Sequence, residues 1–336
     1  MSILDVDERR STITINEWLH LSWNQLLLQW NEKDHEHIKV VQVPSDEIWT
    51  PELSSMSILK TEIPPGQNMI TVASNGDCLK ILSRILTIRC SLDERLDEFP
   101  FDVQICRIVQ LPWSYHIGHL YLSALPGETP NEYFVENPEW SLISYTSEVT
   151  MHNFTDNNYQ QFVSTLTMAR RPTFYVRSFA YPAALVSATA IVGLFSPSEH
   201  TRNRQERVTL GLTALLAQTV SYAAMSQLVP KGSEVLTKMA KFLMCQVLLL
   251  IGATCTAAAV MHLHSAACAP ARSKDKHRKD TAPPDADSSD ATAAAWAQRF
   301  YVLDVALLVM CHACNVALVL TFTANKQHER LLAART

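Results

Sequence analysis

The pattern of apolar and polar residues changes near residue 172. Before that point, apolar and polar side chains alternate in short runs such as 11–15 and 38–43, a pattern typical of strands that bury one face. Residues that favour turns separate these runs, for example at 44–46 and 74–77. Short strands at this spacing predict an all-β sandwich.

After this point the apolar runs are far longer than strands. The ranges 208–230, 242–271 and 305–325 contain no Asp, Glu, Lys or Arg, and a fourth range, 174–194, contains only Arg177. About 20 mostly apolar residues suffice to cross a membrane, and continuous runs of this length favour helices. The pattern therefore predicts four transmembrane helices and excludes an ordinary soluble enzyme.

Basic residues near the predicted span ends indicate the orientation in the membrane. Arg202, Arg204 and Arg207 lie between the first two spans, and Lys and Arg are concentrated again at 272–279. The positive-inside rule places both connections in the cytoplasm, and the β domain is then extracellular. This orientation requires a signal peptide, and none is recognisable at Met1, so we expect the sequence to be a mature or trimmed form.

These patterns divide the chain into five predicted segments. In order they are an extracellular β domain, transmembrane helices one to three, a cytoplasmic linker, a fourth transmembrane helix and an extracellular tail: 1–171, 172–263, 264–296, 297–325 and 326–336. The linker is rich in Ala, Pro, Ser, Asp and Lys, a composition typical of solvated segments that do not fold by themselves.

Composition and motifs narrow the classes of function. Of 336 residues only 18% are charged, and the formal net charge of −5 gives no sign of a nucleic-acid partner. No phosphate loop, nucleophile elbow or paired-carboxylate motif is recognisable, so we expect neither an enzyme nor a cofactor. His35-Glu36-His37 and Cys311-His312-Ala313-Cys314 have the spacing of metal ligands, but we interpret them as a surface turn and part of a membrane helix.

Cys90 and Cys106 enclose a segment that contains Phe-Pro-Phe-Asp at 99–102. Such a loop in a β domain, followed by four membrane helices, resembles the Cys-loop pentameric ligand-gated ion channels, most closely the nicotinic acetylcholine and serotonin type-3 branch. Trp-Leu at 18–19 and Pro-Trp-Ser-Tyr at 112–115 stand in the family's order. The resemblance covers nearly the whole chain. It implies an extracellular immunoglobulin-like β sandwich, a four-helix transmembrane bundle and assembly as a pentamer.

The resemblance also implies a ligand site between subunits. A cationic amine is attracted to the faces of Trp and Tyr rings, so such a site is expected to be aromatic. The matching positions on one subunit are Trp113, Phe154, Tyr159 and Met56. Those on the neighbouring subunit are Trp18, His20, Leu79 and Ile81. Aromatic residues in β domains are more often part of the core, and for Trp23, Trp30, Trp49 and Trp140 we adopt that interpretation.

The second predicted span is similar to the family's pore helix. With a period of 3.6 residues, one face carries six positions: Thr209, Thr213, Leu216, Val220, Ala224 and Gln227. Five copies would form rings, and a ring of Leu216 is a candidate gate because narrow apolar throats lose water. Glu206 would form a ring of carboxylates that favours cations. The alternatives are threonines that bond to their own backbone, and an acidic residue that interacts with the helix dipole.

Three further expectations follow from the resemblance. Cys90 and Cys106 form a disulfide. Glu8, Asp102 and Arg170 lie on segments that meet where the two domains join, and there they couple binding to opening; a purely structural ion pair is the alternative. Asn153 begins an Asn-Phe-Thr sequon and is a candidate glycosylation site.

The sequence therefore predicts a ligand-gated channel of the plasma membrane, multi-pass and cation-selective, formed as a homopentamer or with related subunits. Its implied partners are a small-molecule agonist, permeant cations and the lipid membrane. The agonist is an amine or a bulkier amphipathic molecule, because Met56 replaces a common aromatic and the adjacent cysteine pair typical of acetylcholine-binding subunits is missing between 140 and 170. The alternative is a ligand-binding membrane receptor or accessory subunit that does not conduct by itself.

Overall fold

The structure, a computed structural model, describes most of the chain. The ranges described are 1–8, 10–91, 96–125, 136–153, 158–196, 203–228, 236–276 and 286–324.

Two antiparallel sheets form the N-terminal domain. The strands of the first sheet are β1 Ser2–Asp7, β2 Thr12–Asn24, β3 Val40–Pro44, β4 Ile58–Glu62, β5 Met69–Ala73 and β6 Asp77–Arg89. Their order is β1-β2-β6-β5-β3, and β4 also pairs with β6. The strands of the second sheet are β7 Val103–Gln110, β8 Trp140–Asn153 and β9 Asn158–Arg170, in the order β7-β9-β8. The predicted β sandwich is confirmed.

The core of this domain lies between the two sheets. In β2, Ile13 and Ile15 alternate with more exposed neighbours and are completely buried, because every second side chain of a strand points to the same face. The remaining large side chains of the core come from both sheets: Ile3, Leu86, Ile88, Ile108, Trp140, Leu166 and Met168. The alternation in the sequence thus corresponds to burial between the sheets.

A disulfide links the end of β6 in the first sheet to β7 in the second sheet. Cys90 follows β6 and Cys106 lies in β7, with their Cα atoms 5.7 Å apart, and both side chains belong to the buried core. Closing a loop of this length contributes roughly 3 kcal/mol by restricting the unfolded chain. The pairing implied by the resemblance is confirmed.

Four helices follow the β domain. They are α1 Thr173–Phe195, α2 Asn203–Ser226, α3 Lys238–Lys276 and α4 Ala286–Thr323. Each contains a stretch long and apolar enough to cross a membrane, which confirms the predicted four spans. The helical backbone of α3 and α4 extends into 264–296, the range predicted as a linker, and the predicted tail at 326–336 lies outside the described residues. The five segment boundaries stay predictions.

The cysteine-bracketed loop connects the β domain to the helices. Phe99 and Phe101 are buried among side chains from all four helices. The Phe101 ring lies 5.6 Å from that of Phe322 in α4, centroid to centroid. The Met239 N–H at the start of α3 donates a hydrogen bond to the Phe99 carbonyl oxygen (3.1 Å). Apolar rings and a backbone bond therefore hold the loop to the outer end of the bundle.

Candidate functional site

Trp113 lies on the loop after β7, and its side chain is 53% exposed. Just before it, Leu111 exchanges two backbone hydrogen bonds with Ser54, both 2.9 Å long. This short bridge ties the Trp113 loop to the segment that carries Met56, whose side chain is 83% exposed. Two residues of the predicted site therefore lie on segments that the backbone joins directly.

Side chains reinforce the same connection. The carboxylate of Glu52 accepts hydrogen bonds from the hydroxyls of Ser54 (3.0 Å) and Ser114 (2.9 Å). The indole N–H of Trp49 donates to the Tyr115 hydroxyl (3.0 Å), and their rings meet edge to face. Trp49 is 38% exposed, so its interpretation as a core residue is wrong, and its ring instead packs against the Trp113 loop at the surface of the domain.

The β8–β9 hairpin borders this half of the site. The backbone N–H of Ile117 donates to the carbonyl of Asn158 at the start of β9 (3.0 Å), and the N–H of Leu122 donates to the Gln160 side chain (2.6 Å). The loop after Trp113 therefore contacts β9 close to the turn of the hairpin. Tyr159 is half-buried in β9 beside these contacts, and Phe154 lies outside the described residues.

The second half of the predicted site lies on the outer face of the first sheet. Trp18 and His20 point outward from β2, and Leu79 and Ile81 point outward from the neighbouring β6. His20 and Ile81 stand directly opposite each other in the strand register. Trp18 is 49% exposed and Ile81 48% exposed. The structure brings these four side chains together as an open, largely apolar surface.

Beneath this surface lies a buried polar network that the sequence analysis missed. The Glu17 carboxylate accepts two hydrogen bonds from the Arg84 guanidinium (2.9 and 2.7 Å) and one from the Tyr145 hydroxyl (2.8 Å). Arg84 also donates to the Gln110 side chain (2.9 Å). Burial and the Glu17 charge raise the pKa of Tyr145, so its hydroxyl stays protonated as a donor. The sequence signal that could have indicated this network is Glu17, an acidic residue at an inward-facing position of β2.

A second buried cluster lies where the domains meet. Arg170, at the end of β9, donates to both carboxylate oxygens of Asp102 (2.7 and 3.1 Å) and also pairs with Glu8. Its guanidinium carbon lies 4.4 Å from the ring centroid of Trp140 and 4.7 Å from that of Phe99. The three residues predicted for coupling are therefore in direct contact.

The carboxylates around Arg170 keep its guanidinium group charged. Burial alone would lower the pKa of Arg170, but the charges and hydrogen bonds of Asp102 and Glu8 outweigh it and raise the pKa above the usual value. Glu8 differs, because burial raises its pKa and the attraction of Arg170 offsets only part of that effect. Arg170 is thus a permanent cation held between two unequal carboxylates.

The predicted pore residues share the exposed side of α2. Thr209, Thr213, Leu216, Val220 and Ala224 are all exposed in the single chain, Glu206 lies in the first turn, and Gln227 lies in the turn after the helix ends. The Thr213 hydroxyl bonds to the Leu210 carbonyl (2.9 Å), as the backbone alternative expected. The face is available to water or to neighbouring chains.

Asn153 is exposed at the end of β8. The position suits a glycan sterically, although the rest of its sequon lies outside the described residues.

Comparison with known families decides the classification. Residues 1–172, just over half of the chain, match the family model of the neurotransmitter-gated ion-channel ligand binding domain. The chain belongs to this family. A neurotransmitter-gated channel family of this kind is not a class of enzymes, and the β sandwich, the cysteine-bracketed loop and the four helices agree with it.

Relatives of this ligand-gated channel family extend the similarity into the helices. The chain is 26% identical over 267 residues to "Ligand-gated ion channel 4" of Caenorhabditis elegans, which covers 78% of this chain and 41% of that protein. It is 26% identical to "Neuronal acetylcholine receptor subunit alpha-9-II" of Oncorhynchus mykiss, over 78% of this chain and 47% of that protein. For "Neuronal acetylcholine receptor subunit eat-2" of Caenorhabditis elegans the identity is 26%, over 78% and 55%. The chain thus spans about half the length of these relatives.

Proposed function

We propose that the chain is one subunit of a pentameric ligand-gated cation channel in the plasma membrane, with the β domain outside. The observation that supports this best is the presence of two separate half-sites on one β domain. Trp113 and Met56 line one, and Trp18 and Ile81 line the other. Leaving such apolar side chains in water is unfavourable, and a neighbouring subunit would cover each half-site with the complementary one.

The chemistry of the two halves favours a cationic ligand with an apolar body. The rings of Trp113, Tyr159 and Trp18 offer π-faces to an ammonium group. Met56 replaces a rigid aromatic wall with a flexible, polarisable side chain, and Leu79 and Ile81 add aliphatic surface. Fewer rings converge on the charge, so we expect acetylcholine to bind weakly. A bulkier amphipathic amine can pack against the methionine and the aliphatic residues.

The junction supplies a route from the site to the pore. A ligand that draws the β8–β9 hairpin inward acts on β9, which ends at Arg170. Arg170 holds Asp102 and Glu8, and Asp102 directly follows Phe101, whose ring is buried in the helix bundle. Displacement of β9 would therefore move the loop that contacts the outer ends of the helices.

In the pore, five copies of Leu216 would form the apolar gate, and five copies of Glu206 would concentrate cations at the cytoplasmic mouth. Leu216→Thr replaces the apolar ring with hydroxyls and should ease opening. Glu206→Ala should weaken the preference for cations. Unchanged agonist dependence in the first variant, or an unchanged reversal potential in diluted salt in the second, would contradict these roles.

The deciding experiment is expression of the chain alone in oocytes, with current recorded during application of acetylcholine and of decyltrimethylammonium. We expect current with the amphipathic amine and little or none with acetylcholine. Trp113→Ala should abolish the response, whereas Trp296→Ala, which removes a similarly exposed aromatic from the start of the fourth span region, should not. Binding of the amine without any current, in chains that reach the cell surface, would favour a non-conducting subunit.

A further inference from the structure

The pore helix α2 has a buried stripe on the side opposite its predicted pore face. Gly211, Ala214, Gln218 and Met225 form this stripe, and all are buried within the single chain. Gln218 is its polar member and is only 1% exposed. Its amide nitrogen donates to the Ala183 carbonyl oxygen (2.6 Å) and to the Ser187 hydroxyl (3.1 Å), both on α1.

A pair of buried side-chain amides lies at the same depth of the bundle as Gln218. Gln246 of α3 donates to the Asn315 side chain of α4 (3.0 Å), and Asn315 donates to the Ala184 carbonyl of α1 (3.1 Å). Gln218, Gln246 and Asn315 each lie eight residues from the outer end of their helix, which is about 12 Å at 1.5 Å per residue. The carbonyls of Ala183 and Ala184 in α1 thus accept hydrogen bonds from Gln218 and Asn315. Both α2 and α4 are therefore bonded to α1.

A second contact holds α2 to α1 near the opposite end. Arg207 donates to the carbonyls of Leu194 (3.4 Å) and Ser196 at the end of α1. Arg207 and Gln218 are eleven residues apart, close to three helical turns, so they lie on the same side of α2. Two attachments on one side restrict rotation of a helix about its own axis.

Apolar character alone does not single out one side of α2. Outside the buried stripe, α2 presents Leu, Val and Ala in several directions, and the hydroxyls of Thr213, Thr219 and Ser221 bond to their own helix. The amide of Gln218 also leaves its own oxygen buried without a partner among the described residues. An apolar residue of this size would avoid that cost, so overall stability does not account for an amide here.

We propose that Gln218 is a positioning residue that sets the rotation of α2, so that Leu216 and Val220 face the central axis. The inference rests on the proposed pore. The geometry acts through α1, because the acceptors are a backbone carbonyl and a hydroxyl of that helix. Without the amide, α2 keeps its hydrogen bonds at Arg207 and its packing. It is then less restricted in rotation about its axis, so other sides of the helix also face the pore.

The test measures which side of α2 faces water in the full chain. Val220→Cys and Ser221→Cys are made separately, and each is treated with the membrane-impermeant cation 2-(trimethylammonium)ethyl methanethiosulfonate. Reaction rates are measured by mass spectrometry, and the chain without an added cysteine corrects for its native cysteines. Ser221 lies about 100° around the helix from Val220, so we expect position 220 to react much faster than position 221.

Adding Gln218→Leu should lower the ratio of the two rates by roughly 3- to 15-fold, the range expected for interhelical hydrogen bonds in membranes. Ser187→Ala removes one of the two acceptors and should lower the ratio less, and it decides the question if Gln218→Leu does not assemble. Thr219→Val is the matched control, since Thr219 bonds only to its own helix in the structure, and it should leave the ratio unchanged.

The outcomes separate this proposal from the proposed function. If position 220 reacts faster and neither Gln218→Leu nor Ser187→Ala changes the ratio, Gln218 does not set the rotation, and the pore remains supported. An equal change with Thr219→Val would also overturn the specific role of Gln218. If neither position reacts in the otherwise unchanged chain, α2 does not line a water-filled pore, and both proposals fail.

Discussion

Among the described residues of the β domain, two buried arginine–carboxylate clusters differ in what they join. Arg84 and Glu17 lie on adjacent strands of the first sheet and reach the second sheet through Gln110 and Tyr145. Arg170 instead joins the end of β9 to the loop that enters the helix bundle. The same ion-pair chemistry therefore stabilises one sandwich in the first case and connects two domains in the second.

The surroundings of the two arginines explain this difference. Among the described residues, the hydrogen-bond partners of Arg84 are Glu17 and Gln110, and both belong to the β domain. Arg170 also lies against the rings of Phe99, Trp140 and Tyr175, which come from the loop, the second sheet and α1. Because these rings come from three segments, a change in the relative position of the segments alters the contacts of Arg170. A buried ion pair by itself is therefore not evidence for coupling between domains. The evidence is that its contacts come from more than one domain.

The largest effect should come from Arg170→Met. This change leaves the fully buried Asp102 without its partner, which typically costs about 3–5 kcal/mol for a broken buried pair. We expect a matching loss in the free energy of unfolding by denaturant and loss of surface expression. Arg170→Lys should restore only part of it, because an ammonium cannot bind Asp102 in two places. Equal stability of the methionine variant and the parent would contradict this account.

Glu17→Ala should have the next largest effect. It leaves Arg84 and the Tyr145 hydroxyl without their acceptor, and a hydrogen bond to a charged group contributes about 1.5–3 kcal/mol. Combining Glu17→Met with Arg84→Leu should recover most of the lost stability, since both charges are then removed. The corresponding replacement of Arg170 together with Asp102 should not restore ligand-evoked current. Recovery of current there would remove the distinction between the two clusters.

The pH dependence of Glu8 should be smaller. The pKa of Glu8 is raised in the folded chain, so the folded state holds this proton more tightly than the unfolded state does. The stability that this contributes is present below the ordinary pKa of a glutamate and is lost as pH rises through the raised value. The parent should therefore lose stability relative to Glu8→Gln as pH rises above the ordinary pKa of a glutamate, about 4. Unfolding curves at several pH values check this, and a parallel pair of curves would contradict it.

The smallest effect on stability should come from Met56→Ala. This side chain is largely exposed, and surface substitutions of this kind usually change stability by no more than about 0.5 kcal/mol. Binding of decyltrimethylammonium, measured by calorimetry, should nevertheless weaken, because the methionine is proposed to contact the apolar body of the ligand. A large loss of stability would show that Met56 belongs to the fold instead of the site.

Much of the fold could be predicted from local pattern. Alternation predicted the strands, and four apolar runs with at most one charged residue each predicted the spans. The disulfide between Cys90 and Cys106 was implied by the resemblance to the family. The resemblance also placed Glu8, Asp102 and Arg170 at one junction, and the structure brings them into contact. These features are local in sequence or tied to recognisable motifs.

The amino-acid sequence by itself determined the β sandwich, the four apolar helices and the identity of the family, because periodicity and motifs are properties of neighbouring residues. Only the tertiary structure decided which polar groups meet. Glu17 and Arg84 are 67 positions apart and meet because β2 pairs with β6 in one register. Gln218 bonds to a backbone carbonyl of α1, and a carbonyl is common to every residue. Such contacts depend on how whole elements pack, and no local pattern records them.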